Sequence, residues 1–289
     1  MKQHAILIET HANVDLLARV LKKMEAENHY FFIHVDKKTS NYNEFLALKS
    51  DHVIFTSKRF DVKWGSEEQI YLTIELLQIA KQFPIDFDYY HLISGQDYPI
   101  KNNQTFDCFF NKTEKSFMEL DWNNPIPPRL MFYHFNGLLD VKKKGIGEKL
   151  ERHCTNLQKY ISKYILLRKP LAQKLYKGSN WWSLHNKLVD YILQYINSNP
   201  NYLKRFHFTS CCDEVFFHTI AFNSPLKETI ELTDLRYYDW KQTYPNETLP
   251  RTLTEKDYDS IINSKSFFCR KVNYSISRQL IELLDNNEK

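Results

Sequence analysis

The chain has 289 residues, 43% of them hydrophobic and 26% charged, with a formal net charge of +4; that length and balance suit a water-soluble protein with a sizeable core. Only 6 glycines occur, with no G-x-G-x-x-G or G-x-x-x-x-G-K-[ST] run, which excludes glycine-rich phosphate loops. No segment approaches the roughly 18–20 apolar residues of a membrane span. Five cysteines without a C-x-x-C pair argue against a zinc site or disulfide framework and for reduced thiols, so a cytoplasmic protein is expected.

Residues 4–9 (HAILIE) read as a buried strand, reached too soon after Met1 for a signal-peptide core. Asn13 is placed to cap a helix whose apolar positions are Val14, Leu17, Val20, Leu21 and Met24. A second strand, 29–35, ends at Asp36, and 52–55 is a short third. Ser66 with Gln69 has capping-box spacing and opens a helix through Ile70, Ile74 and Leu77 to about Phe83. The strand 89–93 then stops at Ser94-Gly95-Gln96-Asp97, with Pro99 fixing the exit. Strands alternating with helices predict an α/β fold with a mostly parallel sheet flanked by helices. A further strand is expected over 115–120, a long irregular loop over 123–146, and a helix over 147–177 with Leu150, Leu157, Ile161 and Ile165 near one face, divided at Pro170. Residues 179–184 and 265–270 read as strands; 187–196, 213–222 and 275–285 read as helices. No linker or repeat is visible, so the whole of 1–289 is expected to be one interlocked unit. Its nucleotide-binding half would run to about 122 and its acceptor and catalytic half from about 123.

In open α/β sheets ligands sit outside the carboxyl ends of strands. Asp36 and Asp97 stand at such ends; for Asp36 a ligand role and a solvated strand end fit equally well. Asp213 and Glu214 open an apolar helix. They complement its dipole in any case, and one of them in a cleft has the chemistry of a general base. Arg270 and Lys271 follow an apolar strand, where a guanidinium fork and an ammonium suit a diphosphate as well as they suit solvent. In Gly178-Ser179-Asn180-Trp181-Trp182, alternation predicts one ring buried and one open to a cleft. D-x-D pairs at Asp86/Asp88 and Asp257/Asp259 do not end strands, and His-based zinc spacing is absent, so no metal is expected. Between Lys142 and Lys177 eleven Lys and Arg face two acids, a composition that attracts anions.

These pieces in this order resemble the core-2/I-branching β-1,6-N-acetylglucosaminyltransferase and peptide O-xylosyltransferase family. The likeness runs from Ala5 to Lys271 through His11, IHVDKK (33–38), VKWGS (62–66), LISGQDYPI (92–100), GSNWWSL (178–184), DEVFFHT (213–219), LRYYDW (235–240) and FFCRK (267–271). The resemblance implies a GT-A fold and inverting, metal-independent transfer of a GlcNAc- or xylose-class sugar from a UDP-sugar to a glycan or lipid-linked acceptor. It implies Glu214 as catalytic base; Arg270 and Lys271 as diphosphate ligands, with Arg236 a further candidate; and His11, Asp36, Trp64 and Gly65 at the nucleotide. Asp97, Asn180, Trp181, Trp182 and Asp213 are implied at the sugar and acceptor. Cys211-Cys212 stands where family members often carry Ser-Pro, and Asn180 where xylosyltransferase-like members tend to carry Asp. Beside the transferase reading stands a non-catalytic module binding RNA or acidic polysaccharide through 142–177. The transferase reading expects no nucleic acid and allows peripheral contact with an anionic membrane.

Overall fold

The computed structural model describes residues 1–121, 130–138, 145–165, 167–168, 170–242, 244 and 247–287. Most of the expected loop 123–146 and four of the eleven bases, Lys142, Lys143, Lys144 and Lys169, lie outside them.

The central sheet has seven strands in the order β3-β2-β1-β4-β7-β6-β8. β1 (His4–Thr10), β2 (His29–Val35), β3 (Val53–Phe55) and β4 (Tyr89–Ser94) are mutually parallel. β7 (Trp182–His185) runs antiparallel between β4 and β6 (Ser116–Met118), and β8 (Ile230–Glu231) closes the edge parallel to β6. β1 is buried along its whole length, as a strand covered on both faces should be. Period-two alternation divides it: Ala5 and Leu7 join one core cluster, Ile6 and Ile8 the other. The first face is covered by α3 (Glu68–Gln82), α6 (Asn186–Ser198) and α8 (Asp213–Phe222), the second by α1 (Val14–Lys23), α4 (Asn103–Asn111) and α10 (Arg278–Asp285). A second sheet, β5 (Tyr98–Pro99), β10 (Phe268–Arg270) and β9 (Arg236–Tyr238), lies beyond the end of β4.

The mostly parallel α/β architecture is as expected, with local corrections. Asn13 takes a left-handed conformation (φ 62°) and makes no side-chain cap bond. Ser66 and Gln69 form no capping box; the Gln69 amide reaches across to Glu9. The helix expected over 147–177 is α5 (Ile146–Ile161) only, and Leu150 and Leu157 are exposed. Its attachment is polar: Glu151, its one buried side chain, takes hydrogen bonds from His134 Nδ1 at 2.8 Å and Phe135 N at 3.1 Å.

One cluster escapes sequence spacing. His4, His29 and Asp107 converge, buried, with their ligand-type atoms all within 4.8 Å of one another. Hydrogen bonding satisfies most of it: His29 Nε2 meets Asp107 Oδ1 at 2.9 Å and Nδ1 meets the Met24 carbonyl at 2.8 Å. His4 and His29 open β1 and β2, so this cluster lies at the end of the sheet opposite the strand ends described next.

Candidate active site

The reversal of direction between β4 and β7 builds the site. Because β7 is antiparallel and pairs Trp182 with Leu92, the residues before β7 stand beside those after β4. Asp97 is fully buried there. Its Oδ2 accepts from Ser94 N at 2.6 Å, Ser94 Oγ at 2.5 Å and Arg270 Nη1 at 3.1 Å. Arg270 arrives from the end of β10, and its guanidinium lies 4.3 Å from the centre of the Trp181 ring, within cation–π range. Asp97 Oδ1 and Asn180 Oδ1 are buried yet meet no protein donor. Buried acceptors are ordinarily satisfied, so two orphans beside a cation and an aromatic ring suit a polar ligand.

Glu214 approaches from the other side. Every residue of α8 from Val215 to Phe222 is buried, so the helix is an apolar post with Asp213 and Glu214 at its open end. Cys211, at φ 46°, makes the turn into it and donates its N–H to the Gly65 carbonyl at 2.8 Å. The Glu214 carbonyl accepts from Gly178 N at 3.0 Å, and its carboxylate stands 3.9 Å from Lys177 Nζ, which bonds Asp121 at 3.0 Å. Gly178 permits this approach: a Cβ there would lie 1.9 Å from the Glu119 carbonyl oxygen and 2.6 Å from His218 Nε2. The segment 177–181 therefore touches Glu214 at one end and Arg270 at the other.

Sequence reasoning missed the acid in the floor of the site. Glu9, near the end of β1, is buried with Thr73 Oγ1 at 2.8 Å from Oε1 and the Gln69 amide on Oε2. Burial, reinforced by the Asp213 charge and opposed by its hydrogen bonds and by Arg270, raises its pKa from 4.5 to about 8. Thr73 Oγ1 also lies 2.9 Å from the Gln69 carbonyl. A neutral Glu9 donating to Thr73 leaves the hydroxyl hydrogen for that carbonyl, so the geometry suits the protonated acid. Its signal was a strand-end carboxylate, the same one that marked Asp36.

The remaining expected residues divide. Asp36 is buried and orders the next loops, accepting from Lys38 N at 2.8 Å and Val62 N at 3.2 Å. His11 is exposed just past β1, and its carbonyl accepts from Thr39 Oγ1. Trp64 is 58% exposed on a cavity of about 310 Å³ that His134, Asn136, Arg152 and Ser210 also line. Gly65 has φ +71°, a turn conformation that glycine adopts freely. Lys271 is half-buried with Nζ 3.2 Å from the Leu249 carbonyl.

Two assignments are corrected. Trp182 is 0% exposed and packs edge-on against Phe217, so its ring belongs to the core and Trp181 alone offers a face. Arg236 is buried, with Nη2 on the Leu92 and Trp182 carbonyls at 2.8 and 3.0 Å and Nη1 on Ser183 Oγ and the Asp234 carbonyl. Its two terminal nitrogens join the two sheets, and only Nε is left without a protein acceptor. Within the basic segment, Arg168 likewise turns inward, to the carbonyls of Phe132 and His207.

A Cβ on Gly95 would lie 2.3 Å from Thr10 Oγ1, so glycine there lets the chain leaving β4 pass close to the end of β1.

The family model described as Core-2/I-Branching enzyme matches residues 5–262. Xylosyltransferase 2 of Canis lupus familiaris is 25% identical over 93% of this chain and 31% of its own length. Xylosyltransferase sqv-6 of Caenorhabditis briggsae is 26% identical over 77% of this chain and 26% of its own. The chain thus spans a quarter to a third of the length of these relatives. A solved structure of mouse xyloside xylosyltransferase 1 in its apo form aligns over 96% of this chain and 99% of that one. Its TM-score is 0.39 at 11% identity, too low to bear on fold or chemistry.

Proposed function

Since this chain belongs to the Core-2/I-Branching enzyme family, we propose that it is an inverting glycosyltransferase of GT-A type that uses a UDP-sugar and needs no divalent metal. Glu214 takes the proton of an acceptor hydroxyl. The oxygen attacks the anomeric carbon on the face opposite UDP; the bond from that carbon to the diphosphate oxygen breaks, and UDP leaves with the electron pair. An α-linked donor then gives a β-linked product. Arg270, fixed by Asp97 and stacked on Trp181, meets the charge that develops on the diphosphate. Lys271 joins it by turning its ammonium from the Leu249 carbonyl toward the diphosphate, while Asp36 and the Trp64-Gly65 turn flank the nucleotide. Trp181 and the free acceptors on Asp97 and Asn180 receive the donor sugar's hydroxyls.

The observation that supports this reading is the segment 177–181, which meets a partly exposed carboxylate at one end and a buried guanidinium at the other. UDP-xylose is the first donor to test, given the names of the relatives, and UDP-GlcNAc the second. The acceptor is a glycan or lipid-linked saccharide hydroxyl. Glu214→Gln keeps shape and charge-free hydrogen bonding but removes the base, which typically contributes 10²–10⁴-fold. We expect the variant to melt with the parent, bind UDP as the parent does and lose about that factor in kcat. Turnover within threefold of the parent would overturn the assignment.

A further inference from the structure

Among the described residues, the polar attachment of α5 leaves its apolar side largely exposed. Ile146 is 86% exposed, Leu150 47%, Leu157 52% and Tyr160 59%; Tyr164 and Ile165, just past the helix, are 73% and 59% exposed. At 100° per residue, Ile146, Leu150, Leu157 and Tyr160 fall within an arc of about 80°. An amphipathic helix ordinarily turns such an arc to the core. Here the body holds the opposite side, through Glu151 to His134 and through Gln158, whose side chain exchanges two 2.7 Å hydrogen bonds with the Tyr133 backbone.

Cations border this arc. Lys149 is exposed at its edge and Lys163 is exposed just past the helix, while Arg152 and Lys159, also exposed, line the cavity with Glu148 and Glu151. An apolar arc with a basic margin and tyrosines at one end is the pattern of a helix lying in a membrane interface. A second copy of the chain would bring one basic margin against another, whereas an anionic lipid surface complements it.

We propose that α5 is a membrane-docking helix that lays its Ile146–Tyr160 face into the surface of a bilayer bearing anionic lipid. Docking places the cleft beside the membrane, because α5 lies in the excursion between β6 and β7, both of which meet the cleft at the same end of the sheet.

The test is flotation of the full chain with phosphatidylcholine vesicles, with and without about 30% phosphatidylglycerol, near physiological salt. The chain should float with the anionic vesicles and stay behind with the neutral ones, and about 0.5 M salt should release much of it. Lys149→Ala with Lys163→Ala should lower partitioning about thirtyfold. Ile146→Asp with Leu157→Asp should abolish it. All four positions are exposed, so each variant should melt with the parent and bind UDP equally well. Failure to float, equal binding to neutral vesicles, or a concentration-dependent dimer dispersed by the Asp variant would each overturn the proposal. Loss of UDP binding by the parent chain would count against the transferase reading and leave this one standing.

Discussion

Replacing Glu9 by Gln should make the protein more stable at neutral pH, and the gain should disappear in acid. Burial holds the Glu9 pKa at about 8 in the folded chain against an ordinary 4.5, and a tenfold change in proton affinity corresponds to about 1.36 kcal/mol. Below about pH 4.5 both folded and unfolded chains carry the proton and the residue contributes no difference. As pH rises the unfolded chain ionises first, so the folded state, holding an extra proton, loses stability progressively until about pH 8. At pH 7.5 the loss is about 3 units, or ~4 kcal/mol. Glutamine takes up no proton and can donate to Thr73 as the neutral acid does. Its second amide hydrogen lacks an obvious acceptor and costs about 1 kcal/mol or more. The expected net gain is therefore about 2–3 kcal/mol at pH 7.5 and none at pH 4.5. Urea melts of parent and variant across this range read it directly, since all other titrating groups cancel in the difference. A difference that is flat with pH, or that grows toward acid, would refute the reasoning. The chemistry gives a motive for the arrangement: a neutral Glu9 keeps a further negative charge away from Asp213 and from the place where a diphosphate would lie.

Two more outcomes follow from the cleft. Gly178→Ala drives a methyl group into the Glu119 carbonyl, so a loss of about 3 kcal/mol is expected, visible as a fall of several degrees in Tm. Because Gly178 N holds the Glu214 carbonyl, turnover should fall further than stability alone explains; an alanine variant with the parent's Tm and kcat would contradict the close packing. Sugar transfer should persist in excess EDTA, and complete loss restored by Mn²⁺ would shift the diphosphate role from Arg270 and Lys271 to an ion.

The strands of the parallel half were legible because each is a short apolar run ended by polar residues, and burial on both faces leaves no other reading for HAILIE or HYFFIHV. Part of the site was legible in outline: Asp97, Trp181 and Arg270 come together, and one tryptophan of the pair is core while the other is partly open. What failed has a common cause. Periodicity states that α5 is amphipathic, but it does not state which side the rest of the chain will cover, and here Glu151 and Gln158 made that choice. Local spacing offered Gln69 to Ser66, and a partner sixty residues earlier, Glu9, took it. Arg236 has the charge of a phosphate ligand, and only the assembled sheets reveal the carbonyls of Leu92 and Trp182 that claim it. β5 and β9 are too short for any pattern.

The pairing of Met118 with Trp182 has a consequence for how such a protein diversifies. Everything from 119 to 181 departs and returns through two neighbouring positions, so its length is nearly free of closure cost and its loss or exchange leaves the strand ladder whole. The docking helix, Tyr164 after it and one wall of the 310 Å³ cavity all ride on that excursion. Where the enzyme works and what it accepts can therefore be rewritten by exchanging the part of that insert before Lys177, while the segment 177–181, which meets Glu214 and Arg270, stays as it is.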